Sequence, residues 1–327
     1  MSAVVGVDVS KGSLDVAVLR QDGEALAGKF ANDPPGWQAL HKYLRRHGAQ
    51  TAHVCLEATG LYGTGVAHFL HEAGYSVSVV NPARIKAYAD SKLSRGKTDA
   101  GDAALIADFC RTQQPDLWTP PPPEQLALQA MVRHLQALND MLQQERNRLQ
   151  AGVASEVVRQ DLTDHIAFLL QQMDHIQRQI DQHIDQHPHL RQQRELLETI
   201  PGIGRLTANR LLAEIRDILG FDSARQLAAF AGLTPRPHQS GTSVHRPAHL
   251  SKQGNPRLRA CLYLPAVVAM RWNPILADFA RHLAAAGKSK MVIIGAVMRK
   301  LLHLAYGVLK SGRPFDPNYH PLVRFSA

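Results

Sequence analysis

Residues 3–19 read AVVGVDVSKGSLDVAVL: an apolar run of small and branched residues to Val9, a Ser10-Lys11-Gly12 turn, and a second run from Leu14 to Leu19. Two such runs across a tight turn predict a strand pair. Gln21-Asp22-Gly23 repeats the hairpin signal into a third strand near Ala25–Phe30. Working outward, Pro34 to His47 has helical periodicity behind an Asn32-Asp33 start signal. A fourth strand over His53–Leu56 ends at Glu57, a helix covers Leu61–Glu72, and a fifth strand, Ser76–Val80, stops at Asn81-Pro82. A three-stranded meander followed by alternating helices and strands predicts a mixed sheet with helices on its faces. Thr98 then caps a helix running to about Arg111.

That is the element order of an RNase H-like fold, expected over residues 1–117. Pro120–Pro123 is a polyproline spacer. Leucines follow every seven residues at Leu128, Leu135, Leu142 and Leu149, and a second helix carries Leu162, Ile166, Leu169, Met173, Ile176 and Ile180. Residues 118–188 therefore read as a linker and a pair of coiled-coil helices, either an oligomerisation stalk or a pair packing only on itself. In 189–327, Ile200-Pro201-Gly202-Ile203-Gly204 lies between two apolar-periodic stretches, a helix-hairpin-helix signature. The amides near Gly202 and Gly204 could hold a phosphate without reading sequence, although an ordinary helical corner has the same pattern. Helices are expected at about Ser223–Ala231, Pro256–Met270, Asn273–Ala286 and Met291–Leu309. The fold class is thus α/β plus all-α.

The chain has 327 residues and a net charge of +9. The charge is uneven: residues 189–327 hold 20 basic and 7 acidic side chains, as expected of a surface for a polyanion. Cys55, Cys110 and Cys261 are far apart and lack metal-ligand spacing, which points to a reducing compartment and away from zinc. Asp8 and Lys11 interrupt the first apolar run, so no secretory signal is expected. Arg299, Lys300 and His303 make the last helix a buried amphipathic one, with no membrane role. The expected location is the cytoplasm.

Asp8 stands inside an apolar strand, Glu57 closes another, and Asp99 and Asp102 are three apart on one helix. On a sheet of this type they could gather into a four-acid cluster. Such a cluster repels itself unless a hard cation neutralises it, and oxygen ligands suit Mg²⁺ or Mn²⁺. As first-turn acids favoured by the helix dipole, Asp99 and Asp102 have a simpler explanation, but it leaves Asp8 unexplained. Asp15 and Asp108 are the nearest decoys. Far downstream, Ser240-Gly241-Thr242-Ser243 sits in a stretch with no acid between Asp222 and Asp278. Arg236, Arg246, Lys252, Arg257 and Arg259 surround it and are candidate contacts to a phosphate backbone. From these residues alone, a turn that binds phosphate without reacting is the better reading, and Thr242 and Ser243 are rival hydroxyls.

Gly6-Val7-Asp8-Val9-Ser10-Lys11, Glu57-Ala58-Thr59-Gly60, Asn81-Pro82 and Lys97-Thr98-Asp99-Ala100-Gly101-Asp102-Ala103 resemble the DEDD transposases of bacterial insertion sequences. So do Ile200-Pro201-Gly202-Ile203-Gly204, Ala229-Phe230-Ala231-Gly232-Leu233-Thr234-Pro235 and Ser240-Gly241-Thr242-Ser243. This is the bridge-RNA-guided serine recombinase family, which includes the Piv-type DNA invertases. The resemblance spans the chain, with the motifs in family order. It implies a Holliday-junction-resolvase-like domain supplying Asp8, Glu57, Asp99 and Asp102 to Mg²⁺, a coiled coil for assembly, and a C-terminal transposase domain with Ser240 as nucleophile. It also implies a phosphoserine intermediate, double-stranded donor and target DNA, and a structured non-coding guide RNA. The homo-oligomer would be a dimer, or a tetramer in the synaptic complex, with acids and serine from different protomers. Two rivals remain: a metal-dependent junction nuclease with no covalent intermediate, and a nucleic-acid-binding protein whose acids are structural.

Overall fold

Strand β1 (Val4–Val9) runs down the centre of a five-stranded sheet because both its faces can be covered. Val5, Val7 and Val9 point into one core, with Leu40 and Leu44 of α1 (Pro34–Arg46) and Val66 and Leu70 of α2 (Thr64–Glu72). The other face, carrying Val4, Gly6 and Asp8, lies under a different helix. The computed structural model describes residues 3–20, 24–58, 60, 62–92, 99–215, 217–240 and 244–318. They form two units, Met1–Pro120 and Pro121–Ala327.

In the first unit the strand order is β3-β2-β1-β4-β5, with β2 (Ser13–Leu19), β3 (Ala25–Ala31), β4 (His53–Glu57) and β5 (Ser76–Val80). The meander β1-β2-β3 is antiparallel, while β4 and β5 run parallel to β1. The expected mixed sheet is the observed one. Trp118 N–H donates to the Val77 carbonyl at 2.7 Å, and the Ser78 hydroxyl bonds the Pro115 and Asp116 carbonyls, so the departing chain covers the β5 edge. One helix is not evident from the sequence. Asn81-Pro82 ends β5 but also starts α3 (Pro82–Ser91): Asn81 Oδ1 accepts from Ala83 N–H at 2.9 Å, and Pro82 sits where a helix needs no donor.

Helix α4 (Asp99–Gln113) covers the second face of the sheet. Ala103 and Ala107 rest on Gly6, and a Cβ there would stand 2.2 Å from the Ala103 carbonyl oxygen and 2.3 Å from the Ala107 nitrogen. Only a bare backbone permits this approach. Ile106, Phe109 and Cys110 fill the adjoining space over Cys55 and Val80.

The second unit is helical around one hairpin of strands. Its helices are α5 (Pro123–Gln150), α6 (Glu156–Gln186), α7 (Pro188–Glu198), α8 (Arg205–Ile215), α9 (Ala224–Phe230), α10 (Pro256–Cys261), α11 (Tyr263–Trp272), α12 (Pro274–Ala285) and α13 (Lys290–Ser311). Among the described residues α13 alone has the length and apolarity to cross a membrane. Here it is the central core helix, with Ile294, Val297, Leu301, Leu302 and Ala305 at most 3 % exposed.

The sequence divides this half at 188, but the packing has no break there. Leu128, Val132 and Leu135 of α5 and Ile180 and Ile184 of α6 belong to the same core as α8 and α13. Gln125 and Gln129 donate to the Leu212 and Ala213 carbonyls at 2.6 and 2.9 Å, serving groups the end of α8 would otherwise leave unpaired. Only the outer part of the helical pair, around Leu138, Leu142 and Leu169, forms a cluster of its own. The helix expected over Pro256–Met270 is two, broken at Leu262, because Pro265 cannot donate to the Cys261 carbonyl and its ring would strike it.

Candidate catalytic site

Asp8 pairs with Asp15 across β1 and β2, and the parallel register Val7↔Leu56 brings Glu57 beside Asp8 on the next strand. Neighbouring strands lie about 4.8 Å apart, and residues abreast of each other share a face. Asp15, Asp8 and Glu57 therefore form a row of three carboxylates on the face that α4 covers. Lys29 extends the row on β3 and binds Asp15 at 3.1 Å. The sequence sets Asp15 aside as a decoy, yet it stands directly across from Asp8. Its position two residues past the Ser10–Ser13 turn carries that signal, since the tight hairpin fixes which residues face each other.

Helix α4 runs antiparallel to β1. Cys110, near its C-terminal end, bonds the carbonyl of His53 at the start of β4, while Ala103 and Ala107 lie over Gly6. Its first turn thus sits at the Asp8 end of the sheet. Asp102 is one turn ahead of buried Ile106, on the stripe that faces β4, and is itself partly exposed. Asp99 is the first residue of α4, and its side chain lies outside the described residues. Among the described residues no group of three or more acids, histidines or cysteines is assembled as a metal cage. Three hard-oxygen donors at the same end of one face, Asp8, Glu57 and Asp102, nonetheless suit Mg²⁺ or Mn²⁺ by donor chemistry.

The neighbouring groups are committed elsewhere. Asp108 receives Tyr88 Oη at 2.7 Å, Arg111, and Lys92 at 3.1 Å; burial alone would raise its carboxyl, but these three partners hold it down at about 2. It braces α3 against α4. Cys55 and Cys110 are fully buried free thiols hydrogen-bonded to each other, and that bond and burial push Cys55 upward.

Ser240 ends strand β6 (Pro235–Ser240), which pairs with β7 (Val244–Leu250) in a two-stranded antiparallel ribbon. The segment reads from sequence as a phosphate-binding turn, and Pro235, Pro237 and Pro247, which lack a ladder donor, are unusual in strands. A register irregularity between Arg236 and His238 absorbs the missing donors. Ser240 pairs with Val244 and His238 with Arg246. The side chains of Ser240 and Arg246, and the rival hydroxyls Thr242 and Ser243, lie outside the described residues.

The ribbon has a firm root. Ser251 N–H donates to the Thr234 carbonyl at 2.9 Å and Lys252 N–H to the Gly232 carbonyl at 3.2 Å. Arg259 Nη1 donates to the carbonyls of Ala231 and Lys252 at 3.1 and 3.2 Å. Arg259 was expected to meet a phosphate backbone; its Nη1 here ties together the turns before and after the ribbon. Asn255 Oδ1 caps α10 and its amide donates to Glu214 Oε2 at 2.7 Å, while Arg133 grips Glu214 at 3.2 and 3.3 Å. Burial works to raise the Glu214 carboxyl, but Arg133, Asn255 and nearby Arg257 hold it below its ordinary value. Arg236, Lys252 and Arg257 are exposed.

Residues 200–204 join α7 to α8, as the glycine spacing suggests. Gly202 adopts φ +106°, and a Cβ there would lie 2.6 Å from Ala269 Cβ, so this glycine serves the packing of α11. Gly204 is exposed with open space around it, just ahead of α8.

Residues 5–155 match the DEDD transposase domain of the IS110 type, and residues 194–281 match the transposase family IS116/IS110/IS902. The chain is 36% identical to the pilin gene-inverting protein of Moraxella bovis over 97% of its own length and 98% of the relative's. It is 24% identical to the transposase for insertion sequence element IS1328 of Yersinia enterocolitica, over 96% and 98%. Among solved structures, the RuvC of T. thermophilus in complex with a Holliday junction substrate aligns at 16% identity and a TM-score of 0.27, over 35% of this chain and 96% of that one. That likeness is too slight to argue from.

Proposed function

Because the chain belongs to the IS116/IS110/IS902 transposase family, we propose that it cleaves and rejoins DNA at specific sites, with Ser240 as nucleophile and Asp8, Glu57, Asp99 and Asp102 as the acidic half of the site. The reading rests above all on one observation: Asp8 and Glu57 stand abreast on the face that α4 covers, at the end where Asp102 lies. Hard-oxygen donors gathered at one end of a face suit a divalent cation by donor chemistry.

Ser240 Oγ attacks a DNA phosphorus, an Oγ–P ester forms, and the deoxyribose oxygen leaves as a hydroxyl carrying the proton. The reverse exchange with a different hydroxyl reseals the strand, so one ester replaces another and no external energy is consumed. Mg²⁺ or Mn²⁺ held by the four acids would offset phosphate charge and acidify the reacting oxygen. The basic residues Arg236, Arg246, Lys252 and Arg257 attract the backbone and oppose the charge that grows in the transition state, and Gly204 leads into amides able to take a phosphate. Acids and serine come from different protomers, in a dimer that pairs as a tetramer when donor and target DNA are held together. A structured RNA from the mobile element selects sequence by base pairing, and the protein supplies chemistry and backbone contacts.

The test is a covalent adduct. Protein, RNA and both DNA sites are incubated with Mg²⁺ and resolved under denaturing conditions. Ser240→Ala should abolish the protein–DNA species and Ser243→Ala should keep it. Hydrolysed ends with no adduct, unchanged by Ser240→Ala, would instead mark a nuclease that activates water.

A further inference from the structure

Glu214, near the end of α8, is a carboxylate only 4 % exposed, and side chains from two other helices meet on it. Arg133 of α5 donates through Nε to Oε1 at 3.2 Å and through Nη2 to Oε2 at 3.3 Å. The Asn255 amide, at the start of α10, donates to Oε2 at 2.7 Å. Gln125, Gln129 and Arg133 stand four residues apart and share one stripe of α5. The two glutamines already tie that stripe to the Leu212 and Ala213 carbonyls. Arg133, the next along it, meets a side chain instead, and that side chain continues to Asn255. Asn255 in turn holds the chain that has just left the Ser240 ribbon. Its N–H donates to the Phe230 carbonyl at 2.6 Å, and its Oδ1 accepts from Arg257 and Leu258 N–H at 3.0 and 3.1 Å. Gly254 before it adopts φ +131°, and a Cβ there would lie 2.2 Å from the Phe230 oxygen, so the two sides of the root touch through bare backbone.

A buried carboxylate–guanidinium pair adds little net stability, because stripping water from both charges offsets their attraction. It does impose one arrangement, since a displaced partner leaves a charge buried and unsatisfied. A two-stranded ribbon is marginal by itself in water, so its direction is decided at its root. We propose that Glu214 is a positioning residue for the Ser240 ribbon: held by Arg133 of α5, it fixes Asn255, and with it the chain that leaves the ribbon. The aim of the ribbon is thereby referred to the long helical pair, and a shift of α5 passes to the root through one carboxylate. This role rests on the reading of Ser240 as nucleophile.

Two measurements on the full-length protein test it. The first is hydrogen exchange at residues 230–235 and 251–258 without nucleic acid. In Glu214→Gln the amides of the root should exchange about tenfold faster, the size expected when a bond to a charged group is lost, while those of α13 keep their rates. The second is the rate of the protein–DNA adduct against DNA concentration. The rate at saturation should fall about tenfold to a hundredfold, as misplacement of a reacting group does, with half-saturation unchanged. Glu214→Gln/Asn255→Asp reverses donor and acceptor: the new amide donates to the new carboxylate, whose other oxygen still caps α10. This double variant should restore both readouts. Asn255→Ser keeps an oxygen for the cap but drops the bond to Glu214, and should match Glu214→Gln even where the latter folds poorly. A full adduct rate in either single variant would overturn the positioning role. So would faster exchange throughout α13 with no restoration in the double variant, which would make the pair merely structural. An adduct that survives Ser240→Ala would instead sink the reading of the nucleophile, whatever Glu214 does.

Discussion

Single residues carry two of the clearest consequences. Gly6 lets α4 touch β1, so Gly6→Ala must lift the helix that carries Asp102. Overpacking of this kind costs about 1–3 kcal/mol, so the melting temperature should fall and recombination should fall much further, because the shifted helix displaces an acid of the site. Normal activity in a destabilised Gly6→Ala protein would show that the position of α4 does not matter to the chemistry. His303 sets a pH signature. The unfolded chain takes a proton near the ordinary value of 6.5, while the native protein refuses it until about 4. A depressed base is charged more readily unfolded, so stability is lost as pH falls through that window. His303→Gln should have a flatter stability profile between those values in thermal unfolding, and an identical profile would remove His303 as the cause. Asp8 was legible in the sequence because an acid interrupts an apolar strand. Asp15 was not, because its importance comes from cross-strand register. The bracing part played by Arg259 was not legible, because composition gives a charge but not the partners of its donors.

Among the elements, the ribbon behaves as an arm held at its root. Its two strands pair with each other as a sheet of two, and Arg259 ties the preceding and following turns together through two carbonyls. Losing such a pair of charge-assisted bonds costs about 2–3 kcal/mol. Arg259→Ala should therefore reduce adduct formation strongly while leaving the salt slope of DNA binding unchanged, and a slope reduced by about one would return Arg259 to the phosphate. Arg257→Gln, altering an exposed cation, is expected to do the opposite. The five strands and most helices could be read from turn residues and periodicity, which are local signals. The ribbon was missed because three prolines mask it and the contacts that stabilise it come from Arg259 and Asn255. Helix α3 was missed because Asn81-Pro82 serves as a stop and a start at once.

At the scale of the whole molecule, the division into an acid-bearing unit and a basic unit followed from charge asymmetry and the proline spacer. The depth to which the long helices enter the second core did not, since a heptad pattern does not reveal what faces it. That depth has a testable result. The lower helical pair shares the main core, while the outer pair relies on Leu138, Leu142 and Leu169. Local opening should begin at the outer end, and brief digestion of the native protein should cut near Gly152 before anywhere else in the second unit. Initial cleavage between α7 and α8 would contradict this ordering of stability. The turn between α5 and α6 thus contributes almost nothing to holding up what lies beneath it. Over evolutionary time its length and composition can drift, heptad by heptad, at little thermodynamic cost to the core below.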